Sequence, residues 1–184
     1  MNVSRLVNES VPDELCVATA SLFNQLASVV AALPLSRFTE KSGPEFMGAT
    51  VGGHVRHCLD HAQAILTIND GEINYDNRVR GTIIELDPHA AAQALCAASE
   101  RLLQLSRAAM PGPVQVRITF CSQGGSTRVA SSFHRECAFV LSHTVHHMAM
   151  IRGMLFQCDI AVPREFGYAP ATLHALAAIS KEDQ

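Results

Sequence analysis

The chain has no run of lysine and arginine. Its 184 residues hold 14 Lys+Arg against 17 Asp+Glu, a net charge of −3 with a pI near 6.3. A groove that tracks nucleic-acid phosphates needs a basic stripe, so no nucleic-acid partner is expected. The N-terminus lacks the charged-then-apolar pattern of a secretory leader, and a cytoplasmic location is expected. The longest apolar stretches are broken by His, Arg or Gln and fall short of the ~18 residues a membrane span needs, so no membrane is expected either. The six cysteines (Cys16, Cys58, Cys96, Cys121, Cys137, Cys158) contain no C-x-x-C pair. Four lie in apolar helical patterns and read as buried, reduced thiols. There is no internal repeat and no low-complexity tract. Gly124-Gly125 lacks the Lys-Ser/Thr context of a phosphate loop, and no serine nucleophile elbow or Cys-His pair stands out.

What is present is helix. Apolar residues make up 48% and charged residues 17%, the balance of one globular domain spanning residues 1–184. A first helix opens near Ser10, with Pro12 in its first turn. It carries Leu15, Leu22, Leu26, Val29, Val30 and Leu33 at three-to-four spacing until Pro34 stops it. Thr50 caps a second helix running to about Asn69. A polar connection, EINYDNRVRGTIIELD, leads to Asp87-Pro88, which opens a third helix that Pro111-Gly112-Pro113 ends. VQVRITF then alternates apolar and polar. With the turn CSQGGS and the return TRVASSF it predicts a β-hairpin. A fourth helix spans about Phe133 to Cys158, followed by a loop and a short tail helix, LHALAAI. The expected architecture is an all-α four-helix bundle with a small β-hairpin inserted before its last helix.

Six of the nine histidines sit on two of these helices: His54, His57 and His61 in GGHVRHCLDH, and His143, His146 and His147 in SHTVHHMAMIRGML. Phe139, His143, His147, Met150 and Met154 recur every three or four residues, which predicts a core-facing stripe. His143 and His147 are one turn apart on one face and can converge on one ion. His146 is rotated by about 60° from His143. His54, His57 and His61 also share a face. A single imidazole on an apolar face is ordinarily just hydrogen-bonded, but leaving several buried without partners costs about 1–3 kcal/mol each. A divalent ion relieves that cost. Three nitrogen donors suit zinc, nickel or iron rather than magnesium or calcium, and leave a position open.

GGHVRHCLDH, SHTVHHMAMIRGML and EFGYAPATL together resemble the DinB/YfiT-like metalloenzyme family over roughly residues 14–175. The resemblance implies a homodimeric bundle with a divalent metal held by one histidine of the second helix and two of the fourth. By position these are His57, His143 and His147; His57 fits better than His54, which sits close to the helix start, and His61 is the alternative. The chain differs from many members after His147, where Met148-Ala149-Met150 replaces Arg-Gly-Gln. The activities implied are those of a metal-dependent hydrolase or a thiol-dependent transferase acting on a small molecule. The counter-reading is a non-catalytic metal- or ligand-binding dimer.

Other polar residues carry weaker signals. Arg78 and Arg80 could hold a carboxylate substrate, though loop arginines more often make salt bridges. Glu85 and Asp87 could orient a ligand ring, although Asp87 is more simply a helix cap. Asp60 reads as solvent-facing. Glu136 could serve as a general base if it points inward.

Overall fold

The computed structural model describes residues 13–68, 70–78, 80–105 and 112–182. Its helices in chain order are α1 (Glu14–Ala31), α2 (Leu35–Thr39), α3 (Val51–Leu66), α4 (Ile83–Leu86), α5 (Pro88–Leu103), α6 (Phe133–Gln157) and α7 (Pro170–Glu182), with a 3-10 turn at Pro44–Phe46. The four long helices start where a side-chain oxygen can take up free amides. Thr50 accepts from Gly53 N–H, Asp87 from His89 and Ala90, and Ser132 from Arg135. For α1 the cap is Asp13, which accepts from Leu15 and Cys16. The expected caps and stops at Ser10, Pro12 and Pro111 lie outside the described residues.

The expected all-α class is wrong. Three strands, β1 (Glu72–Asn74), β2 (Pro113–Thr119) and β3 (Ser126–Ser132), form a mixed sheet in the order β1-β2-β3. The fold therefore combines this sheet with seven helices among the described residues. The hairpin is there, with Val116 opposite Val129, but β1 adds a parallel strand on its other side, with Ile73 opposite Val116. Three residues are too few to show a period, so EIN read as loop. Distant pairing makes it a strand. Gln115 N–H donates to Gly71 O at 2.8 Å, Glu72 pairs with Arg117 and Arg128, and Ile73 is wholly buried. The same connection also holds α4, and the expected loop after Pro34 holds α2.

The α1 helix packs on α5 and α6, and α3 packs on the same two, around Phe23, Leu26, Val55, Ile65, Leu95 and Met148. Among the described residues α1 is long and apolar enough to cross a membrane, contrary to expectation, but here its Cys16, Phe23, Leu26 and Val30 belong to the core. Two glycines permit close approaches that shape the site. A Cβ on Gly52 would collide with Glu85 O, so α4 seats directly on the start of α3. Gly167, at φ +77°, lies against the backbone of Met148 and Ala149 on α6. The loop around it is tied down by Arg152, which donates to the carbonyls of Arg164 and Phe166 at 2.9 and 2.8 Å.

Candidate metal centre

The α6 core stripe is Phe133, Cys137, Val140, Thr144, Met148, Ile151 and Leu155. The expected stripe sits beside it, and of its members only Met154 is buried. Phe139, His143, His147 and Met150 are half-buried. The imidazoles therefore occupy the shoulder of the helix, where it faces α3 and where a solute can reach. On α3, His54 and His61 are buried and His57 between them is half-buried.

The structure brings His57, His143 and His147 together. One ring nitrogen from each lies within 4.8 Å of the other two. His143 Nε2 stands 3.0 Å from His57 Nε2 and 3.1 Å from His147 Nε2. Three nitrogens aimed at one another are a poor hydrogen-bond set, because each short pair needs one proton between two lone pairs. They are a good set for one cation. All three rings are held neutral. Burial, followed by the neighbouring imidazoles, pulls His57 down to about 3, His143 to about 4 and His147 to about 2. A neutral imidazole is the form that ligates. A divalent ion preferring nitrogen donors fits these residues.

The other histidines take different parts. His54 Nδ1 lies 2.8 Å from His147 Nδ1, while its Nε2 is buried without a partner in the described structure. This is where a residue that orients a ligand ring sits. His61 donates from Nδ1 to its own helix, to His57 O at 2.9 Å, and its ring stacks on Tyr75. His146 is exposed, its ring 5.1 Å from that of His147.

Behind the imidazoles lies a second polar cluster. Buried Arg56 donates from Nε to Glu85 and from Nη1 to Asp60. Glu85 also accepts from Gly81 N–H at 2.8 Å. Asp60 therefore does not face solvent as expected, and Glu85 braces Arg56 rather than a histidine. The sequence did hold the signal, because Arg56 and Asp60 are an i,i+4 pair. Glu136 is 1% exposed and already accepts from Tyr75 Oη at 2.8 Å, Ser131 Oγ and Arg135. Fully engaged, it is a poor general base. Burial, then this hydrogen bond, raises the Tyr75 hydroxyl. Asp87 is a cap and Arg80 is exposed. Arg78 instead points at the site, its Nη1 2.8 Å from His57 Nδ1.

All six cysteines are free, but only Cys16, Cys58 and Cys137 are buried. Burial pushes the Cys58 thiol up to about 12, and the neighbouring Cys16 thiol, 3.7 Å away, raises Cys137. Such thiols are inert.

No family model matches the chain, and no solved structure matches it. Over 102 residues, 55% of its length, it is 30% identical to FK506-binding protein 5 of Rhizopus delemar. The chain spans about a quarter of that relative, 26% of its length.

Proposed function

We propose that this protein is a divalent-metal-dependent enzyme, a hydrolase or thiol-dependent transferase of the DinB/YfiT-like kind. His57, His143 and His147 hold the ion, which is zinc or nickel, with iron as the third option. The observation that carries this reading is the convergence of three neutral, half-buried ring nitrogens within 4.8 Å. The resemblance of the two histidine segments to that family supports it, and implies a homodimer acting on a small molecule. When bound, the ion supplies Lewis acidity, lowering the pKa of a water or thiol brought to it. The chain's own residues do the rest. His54 fixes the ring of His147, and the backbone carbonyl of His57 fixes that of His61. The half-buried face of α6 leaves a way in for a substrate.

The test is metal content of protein purified without a histidine tag, beside a His143→Ala/His147→Ala variant. Near-stoichiometric metal in the first and none in the second is expected. Wild-type protein that takes up neither zinc nor nickel would end this reading.

A non-catalytic binding role draws on one observation. The ring of His61 lies only 4.2 Å from that of His143, so a fourth imidazole is at hand to close the site. The cobalt-substituted protein separates the two readings. Visible bands that shift when thiol is added mark an open site, and four-coordinate bands unmoved by added thiol mark a closed one.

A further inference from the structure

Arg78 has no carboxylate partner within ion-pair distance among the described residues; its hydrogen bond goes to His57 Nδ1. The nearby acids are engaged elsewhere. Asp60 and Glu85 hold Arg56, and Asp76 accepts from Thr119 N–H at 3.0 Å. A guanidinium can only donate. In this arrangement His57 Nδ1 is therefore the acceptor, and the ring proton sits on Nε2. A His57 that ligates through Nε2 must carry its proton on Nδ1 instead. Nδ1–H would then face N–H of Arg78 across 2.8 Å, two donors with nothing between them. Ligation and the Arg78 contact exclude each other. Once Arg78 leaves the ring, its planar fork stands unpaired beside the three nitrogens, on the loop between β1 and α4.

We infer that Arg78 is a specificity-determining residue: released from His57, it anchors a carboxylate on the molecule that reaches the metal, so the substrates are small organic acids. The planar fork of a guanidinium matches the two-oxygen edge of a carboxylate. This inference rests on the metal reading above. It adds the class of substrate and a built-in competition between Arg78 and the ion for His57.

The experiment uses the cobalt-loaded protein and follows its visible spectrum while mercaptoacetate or 2-mercaptoethanol is added. These are thiols with and without a carboxylate. Wild-type protein, Arg78→Gln and Arg78→Lys are compared. The ratio of the two affinities should favour mercaptoacetate by roughly tenfold more in wild type than in Arg78→Gln, the scale of a charge-assisted pair partly open to solvent. Arg78→Lys should restore part of that preference. Arg78→Gln should also bind cobalt itself more tightly, because the competing donor is gone. The same ratio in wild type and Arg78→Gln, with cobalt bound by both, overturns this inference alone. Failure of the wild type to bind cobalt overturns the metal reading and this inference with it.

Discussion

Two polar clusters share the α3 helix, one residue apart in sequence. On the inner side Arg56 meets Asp60 and Glu85, so its donors face acceptors of opposite charge. On the shoulder His57 meets His143 and His147, where like faces like and protons are short. The first cluster is complete within the chain. The second is not, although α3 carries members of both. A complete cluster does structural work, because removing any member leaves a charge stranded. An incomplete one costs stability until something outside the chain completes it. That contrast separates scaffold from site here more sharply than burial does.

The contrast breaks most visibly in stability. Arg56→Ala should destabilise the metal-free protein by about 3 kcal/mol, the low end for breaking a buried ion pair, since both partner carboxylates keep some solvent. Removing two imidazoles in His143→Ala/His147→Ala should cost less than about 1 kcal/mol under the same conditions. Urea denaturation in the presence of a chelator compares them. Equal losses would mean that the histidine cluster is as structural as the ionic one.

Adding metal should reverse the order. At about a hundredfold excess over its Kd, zinc should stabilise the wild type by about 2.7 kcal/mol and leave the double variant unmoved. Arg56→Ala should keep most of its zinc-induced gain, because Arg56 touches none of the three nitrogens in the hydrogen bonds it makes. Thermal melts with and without zinc read this directly. A gain that survives in the double variant would place the ion elsewhere.

His54 sharpens the comparison within the imidazole cluster. If it serves by accepting from His147 Nδ1, then His54→Asn, whose amide oxygen can stand near the Nδ1 position, should bind zinc almost as the wild type does. His54→Leu should bind about tenfold more weakly, the smaller end of what losing an orienting partner costs. Competition with a chromophoric chelator measures both. Equal weakening in Asn and Leu would make His54 a packing residue.

How much of this was legible beforehand follows from the range of the interactions. Thr50, Asp87 and Ser132 act within three residues of themselves, and were readable or nearly so as caps and boundaries. The histidine pair on α6 was readable as a pair because i,i+4 geometry is local. Its depth was not. The true core stripe differs by one residue, and only the packing of α1 and α3 against α6 decides which of two adjacent stripes goes inward. β1 depends on pairing with residues some forty positions later, so three residues of sequence held no sign of it. Arg78 is the extreme case. Its place against His57 is set by a loop held between β1 and α4, and nothing in NRVR marks one arginine as the one that turns inward.

The smallest expected effect is a pH dependence of the metal-free protein. His57, His143 and His147 titrate at about 3, 4 and 2 in the folded chain, against ~6.5 when unfolded. Between those values the unfolded state binds more protons than the folded one, so stability rises with pH across the window and is lost as pH falls from ~6.5 towards 4. Deleting His143 and His147 removes two of the groups responsible. His54 and His61, also lowered by burial, remain in both proteins. The loss on acidification should therefore be shallower in the double variant, and the two stability curves should converge towards pH 4. Because the rings are half-buried, the difference is expected to be a modest part of the slope. Chelator-treated wild type and variant, unfolded by urea at half-unit steps of pH, give the two curves. Parallel curves would mean that the folded rings take up protons as readily as unfolded ones. The imidazole cluster would then not be held neutral, and the contrast with the ionic cluster beside it would rest on geometry alone.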